Sequence, residues 1–248
     1  MAEVVGQLWV SPSSGDPEKQ DREDQHLIGI VTSATATGSE RIAAVNRLTA
    51  RISACMSLDE ASETARQLNS PELVSALLQL LVDGEQLVSL VVQLLHGLCL
   101  HADGVRALER GGVLQVLVPM LRADDLLLRE HGLRLIAVLA ERPEMPRPLC
   151  RAGVPGLLSH LASSPHSSAP VGFTWHWLLT ISDGILRAPA ALKPGQRKQL
   201  LRALESGEQR AHELQLSPAD AKLLRRQLGE LRVLTSIPRR PAGSSQSV

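Results

Sequence analysis

The apolar residues of this chain recur about forty residues apart, and that period limits the possible folds more than any other feature. Shifted along itself, the sequence lays Leu68, Leu73 and Leu77 on Leu108, Val113 and Leu117, and Leu77, Leu78 and Leu81 on Leu117, Val118 and Leu121. A second shift carries Leu117, Val118 and Leu121 onto Leu157, Leu158 and Leu161. The seam between copies recurs too: Val105-Arg106-x-Leu108-x-Arg110-x-Gly112-Val113 matches Pro146-Arg147-x-Leu149-x-Arg151-x-Gly153-Val154. Self-similarity of this length marks supersecondary units that cannot hide their apolar face alone and cover one another by stacking.

Within each copy the spacing is helical, as in Leu73, Leu77, Leu80 and Leu81, or Leu114, Leu117, Val118 and Leu121. Runs of strand-like alternation are not found, and the strand-favouring Tyr and Phe number 0 and 1. Ser70-Pro71-Glu72 and Ser217-Pro218-Ala219-Asp220 place a capping hydroxyl before a proline suited to the first helical turn. Asp124-Asp125 reads as a turn with an N-cap. Gly112 and Gly153, just past short helices, are predicted to take the left-handed conformation that a side chain resists. Pro143, Pro146 and Pro148 are predicted to break the helix ending near Ala140.

Gly112-Val113-Leu114-x-x-Leu117-Val118-x-x-Leu121, followed by Asp124-Asp125, the helix ending Leu135-Ile136-Ala137-Val138-Leu139-Ala140, and Arg147 to Gly153, resembles one armadillo repeat. The stretch from Pro71 to Gly111 resembles another, and Val154 to Gly195 a diverged third, with partial repeats or caps on either side. The resemblance implies an all-α, right-handed α-α superhelix, an armadillo-like solenoid, with the related HEAT class as the near alternative. It also implies a function in holding other proteins. Armadillo proteins that clamp extended peptides use an asparagine near the end of each third helix; here Gly97 and Val138 stand at that place, which argues against a nuclear-import receptor.

Composition narrows the function classes. With 2% aromatic residues the chain lacks stacking platforms for single-stranded nucleic acid, and 26 basic against 26 acidic residues leave no global field toward phosphate or membrane. Three scattered cysteines do not make a disulfide framework, so an intracellular setting, cytoplasmic or nuclear, is expected. The most apolar stretch, Leu87 to Leu100, is too short and interrupted to span a bilayer, and the start lacks the pattern of a secretory signal. Charge is graded nonetheless: residues 1–40 hold seven acids against Lys19 and Arg22, and residues 196–240 ten basic residues against five acids.

Residues 11–25 contain no aliphatic side chain, so residues 1–38 are expected to be a mostly disordered acidic segment, 39–236 the helical repeat domain, and 237–248 a disordered tail. The last helix carries Leu223, Leu224, Leu228, Leu231 and Leu234 on one stripe and is expected to dock as a terminal cap.

No catalytic constellation emerges. The nucleophile elbow and the phosphate-binding glycine loops are not found. Ser206-Gly207 reads as a polar connection between helices, Cys150 has no accompanying His and Asn, and His96-x-x-Cys99-x-His101 lacks a fourth ligand. The chain is therefore expected to be no enzyme and to need no cofactor, metal or small-molecule substrate. Its partners are expected to be proteins, with neither membrane nor nucleic acid among them. Trp175 and Trp177, on either side of His176 and close to Phe173, are two residues apart and so point to different sides of a helix; one of them can serve as an anchor, the plain alternative being that both fill the core. Arg129 and Arg134 on the long helix of the middle repeat are candidates for gripping a carboxylate. These four residues are the candidate partner-binding set. The function read here is a non-enzymatic scaffold or adaptor, the alternative being a cochaperone that embraces an Hsp70 nucleotide-binding domain.

Overall fold

The computed structural model describes residues 17–83, 87–163, 171–210, 214 and 216–236. All regular elements among them are helical. The chain divides into two compact units, Met1–Gly111 and Gly112–Val248.

The N-terminal unit contains α1 (Pro17–Thr32), α2 (Gly38–Ser53), α3 (Leu58–Leu68), α4 (Pro71–Asp83), α5 (Val88–Leu98) and α6 (Ala102–Arg110). Helix α2 packs on α1, α3 and α5, and α4 packs on α1, α5 and α6. Leu48, Leu68, Leu73, Leu77, Leu94, Leu95, Leu98 and Leu108 are fully enclosed between them. Burying each such side chain contributes about 1.5–3 kcal/mol.

Helix α1 corrects the expectation of a disordered segment to residue 38. Its polar first half has no aliphatic residue, but Leu27, Ile28 and Val31 near its end enter the core. Arg47 of α2 pairs with Glu23, and the Arg51 guanidinium lies 2.7 Å from the buried Asp24 carboxylate. Burial raises the Asp24 pKa above the ordinary carboxylate value, Arg51 only partly offsetting it. The folded part therefore begins by Pro17. Residues 1–16 of that segment, most of the Ser/Pro-rich insert and the tail at 237–248 lie outside the described residues.

The C-terminal unit contains α7 (Val113–Arg122), α8 (Leu126–Ala140), α9 (Pro146–Arg151), α10 (Val154–Ser163), α11 (Val171–Leu186), a 3-10 turn at Pro189–Ala191, α12 (Pro194–Gln209) and α13 (Pro218–Ser236). Second helices pack in series, α7 on α10 and α10 on α12, and so do third helices, α8 on α11 and α11 on α13. Leu117, Leu121, Leu133 and Leu135 are fully enclosed.

One joint recurs along the chain. Second helices begin at Pro71, Val113, Val154 and Pro194, each after a two-residue link from the short helix or turn before it. In two of these links the last residue is glycine in the left-handed region, Gly112 at φ +83° and Gly153 at φ +81°. In the first link Ser70 takes that place, and its Oγ accepts from the Leu73 N–H at 3.1 Å. Caps appear where the sequence placed them: Asp125 Oδ1 accepts from Leu128 N–H at 2.9 Å, and Ser217 Oγ from Asp220 N–H at 3.1 Å.

Helix α13 docks. Leu224, Gln227, Leu228 and Leu231 are buried against α11 and α12, and Gln227 Nε2 donates to the Leu179 carbonyl at 2.8 Å. Ser206-Gly207, expected as a connection between helices, lies inside α12. Glycine is needed there because a Cβ would fall 2.3 Å from the ring of Trp175. At Gly184 of α11 a Cβ would fall 2.1 Å from the Ala140 carbonyl oxygen, so α8 and α11 touch backbone to backbone.

Candidate functional site

The third helices of the C-terminal unit, α8, α11 and α13, lie side by side and share a face. Thr180 and Asp183 follow His176 along α11 at four- and three-residue steps, which places them on one side of it, and Arg187 continues that side one residue past its end. His176 Nδ1 lies 3.0 Å from Asp220 Oδ1 on α13. The Ser217 hydroxyl donates to the other Asp220 oxygen at 2.7 Å, so this carboxylate is held from two sides. Asp183 receives Arg187, the first residue past the end of α11, at 3.2 Å and Arg226 from α13. Arg226 lies 3.8 Å from Glu230, and Arg187 donates to the Glu141 carbonyl at the end of α8 at 3.4 Å. Each exposed pair adds under about 1 kcal/mol to stability. Linked together, they hold long side chains in fixed directions across three helices.

The stripe continues onto α8. Leu127, Arg134 and Glu141 recur seven residues apart, are exposed, and have the half-buried Val138 between the last two. Arg134 is thus on the shared face. The other sequence-derived candidates lie elsewhere or differently. Arg129 donates through Nε and Nη2 to the Ala123 carbonyl at 3.2 and 2.7 Å and closes the turn between α7 and α8. Trp175 is 4% exposed and packs over Gly207, so it fills the core and is no surface anchor. Trp177 is half-buried, with the His176 ring edge-on at 5.0 Å between centroids.

Sequence reasoning missed Asp183, Arg187, Arg226, His176 and Asp220. A signal was available: the cross-helix partners stand 44 residues apart in His176–Asp220 and 43 in Asp183–Arg226, close to the repeat period.

Other reactive groups have structural roles. His131 is buried in α8; burial and the neighbouring Arg134 charge lower its pKa below the ordinary imidazole value. Burial pushes the Cys150 thiol up to about 11, the opposite of what a nucleophile needs. His101 Nδ1 accepts from Asp103 N–H at 3.1 Å and caps α6. At Gly97 a Cβ would meet Ile52 at 2.8 Å, so that place serves helix packing. Among the described residues no three His, Cys, Asp or Glu side chains converge as metal ligands, and no helix is long and apolar enough to cross a membrane.

No protein-family model and no curated protein sequence matches the chain. Solved structures do. A computationally designed armadillo repeat protein for modular peptide recognition superposes with a TM-score of 0.61 at 16% identity, over 88% of this chain and 95% of that one. The armadillo-repeats-only protein of Plasmodium falciparum gives a TM-score of 0.62 at 11% identity, over 87% and 95%. A designed armadillo repeat protein in complex with the peptide (KR)4 gives 0.54 at 18% identity, over 87% and 95%. The chain has the armadillo-repeat fold, an all-α solenoid.

Proposed function

We propose that this chain is a non-catalytic, intracellular protein-binding scaffold whose shared face of α8, α11 and α13 holds an extended segment of a partner protein. The observation that carries this reading is the linked set His176, Asp183, Arg187, Asp220 and Arg226, which presents both signs of charge in fixed positions beside the exposed Leu127 and Arg134. A preformed surface of this kind spends little on ordering when it binds. Peptide recognition by designed proteins of the same fold supports the reading. The residue chemistry supports a role without catalysis in one respect: burial keeps the Cys150 thiol protonated, the opposite of what a nucleophile needs. No residue pattern favours the Hsp70 cochaperone alternative.

The test is proximity labelling with the wild-type chain and with Arg134→Glu and Arg226→Glu variants. The same partners should disappear from both variants while thermal unfolding stays within a degree or two. Partners retained by both would remove this face from the function.

A further inference from the structure

A different surface shows a strong separation of charge. The N-terminal unit, Met1–Gly111, holds 15 acidic and 8 basic residues; the C-terminal unit, Gly112–Val248, holds 11 acidic and 18 basic. The chain is neutral as a whole and dipolar by unit. Part of each excess lies on corresponding helices. In the C-terminal unit Arg147 and Arg151 on α9 and Lys198 and Arg202 on α12 are all exposed. They surround α10, which packs on both α9 and α12 and has no charged side chain apart from a histidine. The amide of Gln196 reaches the Cys150 carbonyl at 2.6 Å and brings the start of α12 against the end of α9. The acids of α12, Glu205 and Glu208, are drawn away toward Arg232 of α13 at 3.6 and 3.2 Å. On the equivalent helices of the N-terminal unit, Asp59 and Glu60 of α3 and Glu72 of α4 are exposed, while Arg66, the one cation of those two helices, is taken up by Glu63 through Nε at 2.7 Å and Nη2 at 2.5 Å.

We infer that the basic surface of α9 and α12 docks the acidic surface of α3 and α4 of a second copy of this chain. Both complementary surfaces are present on one molecule, and two copies with no net charge do not repel each other as wholes. Opposite patches of this kind steer encounter and set register. The contact is heterologous, joining different patches, so it forms closed or growing assemblies according to its geometry. It leaves the face of α8, α11 and α13 outside the contact, so its failure and the failure of partner binding are read separately.

The experiment is sedimentation velocity at about 0.01 M and about 1 M salt, where the Debye length is about 30 Å and about 3 Å. At low salt the mass should rise with protein concentration above that of one chain, and at high salt it should return to one chain. Arg147→Glu/Lys198→Glu/Arg202→Glu and, separately, Asp59→Lys/Glu72→Lys should each sediment as single chains, and an equal mixture of the two should associate again. Circular dichroism melts check folding, with Lys198→Glu alone in reserve, expected to weaken association severalfold. A single chain at every salt concentration, association that survives either charge reversal, or a mixture that stays apart would each overturn the inference. So would binding of duplex DNA or anionic vesicles through Lys198 and Arg202 by a chain that remains single.

Discussion

The two units use charged residues in different ways. In the N-terminal unit Glu23–Arg47 and Asp24–Arg51 join neighbouring helices of one hairpin and fasten α1, whose first half has no apolar residue of its own to bury. The outward positions of the third helix α5 are Ser89, Gln93 and His96, without a carboxylate or a guanidinium. In the C-terminal unit the pairs His176–Asp220 and Asp183–Arg226 run between third helices about one repeat apart, on the outside. Ion pairs therefore complete the fold in the N-terminal unit and shape a surface in the C-terminal one. The same stacked architecture tolerates both, because its cohesion comes from the leucine interior and not from the pairs.

Substitutions separate these two uses. The largest effect is expected where packing alone decides. Trp175→Ala should cost about 3–5 kcal/mol in denaturant unfolding, because it empties the site over Gly207, whereas Trp177→Ala should cost far less and report on the shared face. Gly184→Ala should cost about 3 kcal/mol, since its Cβ would collide with backbone that no side-chain rotation can move. Its control is Gly229→Ala in α13, where nothing stands within 4 Å; there the helix should gain about 0.5–1 kcal/mol. If Gly184→Ala melts like wild type, the close approach of α8 and α11 is not a fixed feature of the C-terminal unit.

Next in size are the ion pairs themselves. Asp24→Ala removes the buried partner of Arg51 and should lower the stability of the N-terminal unit by about 1–3 kcal/mol, seen as early exchange of α1 amides. Arg226→Ala should change stability by less than about 1 kcal/mol, because its pairs are exposed, and should weaken partner binding instead. Equal losses from both would erase the distinction between the units.

The smallest expected effects are in pH. Asp24 has a raised pKa, so the native state holds its proton more tightly than the unfolded chain. Its contribution is favourable below the ordinary carboxylate range and is lost as pH rises through the native value. His131 has a lowered pKa, so the unfolded chain takes up protons first as pH falls below about 6.5, and stability drops on that side. Midpoints followed against pH should therefore tilt in opposite senses for the two groups. His131→Leu should flatten the slope just below neutrality, and Arg134→Ala should raise the His131 pKa in an NMR titration.

Much of this was legible in the sequence because it depends on near neighbours. Gly112 and Gly153 declare their left-handed turns by position after a short helix, and Ser70, Asp125 and Ser217 declare their caps within four residues. What was hidden depends on atoms far along the chain. Helix α1 looked unfoldable because Arg47 and Arg51, which hold it, belong to the next helix. Gly207 looked like a connection because Trp175 lies thirty-two residues before it. The two tryptophans point to different sides of their helix, which required a choice between them, but only packing against α12 made it. Arg129 and Arg134 were equivalent by composition. The Ala123 carbonyl separates them by occupying the first and leaving the second on the shared face.

The main-chain contact of Gly184 on Ala140 has one more consequence. A crossing without interposed side chains has no rotamers through which to yield, so a pull exerted on α11 by anything seated beside it passes to α8 as a displacement of the whole helix. The two should therefore respond as a single lever, with its fulcrum at one missing methyl group.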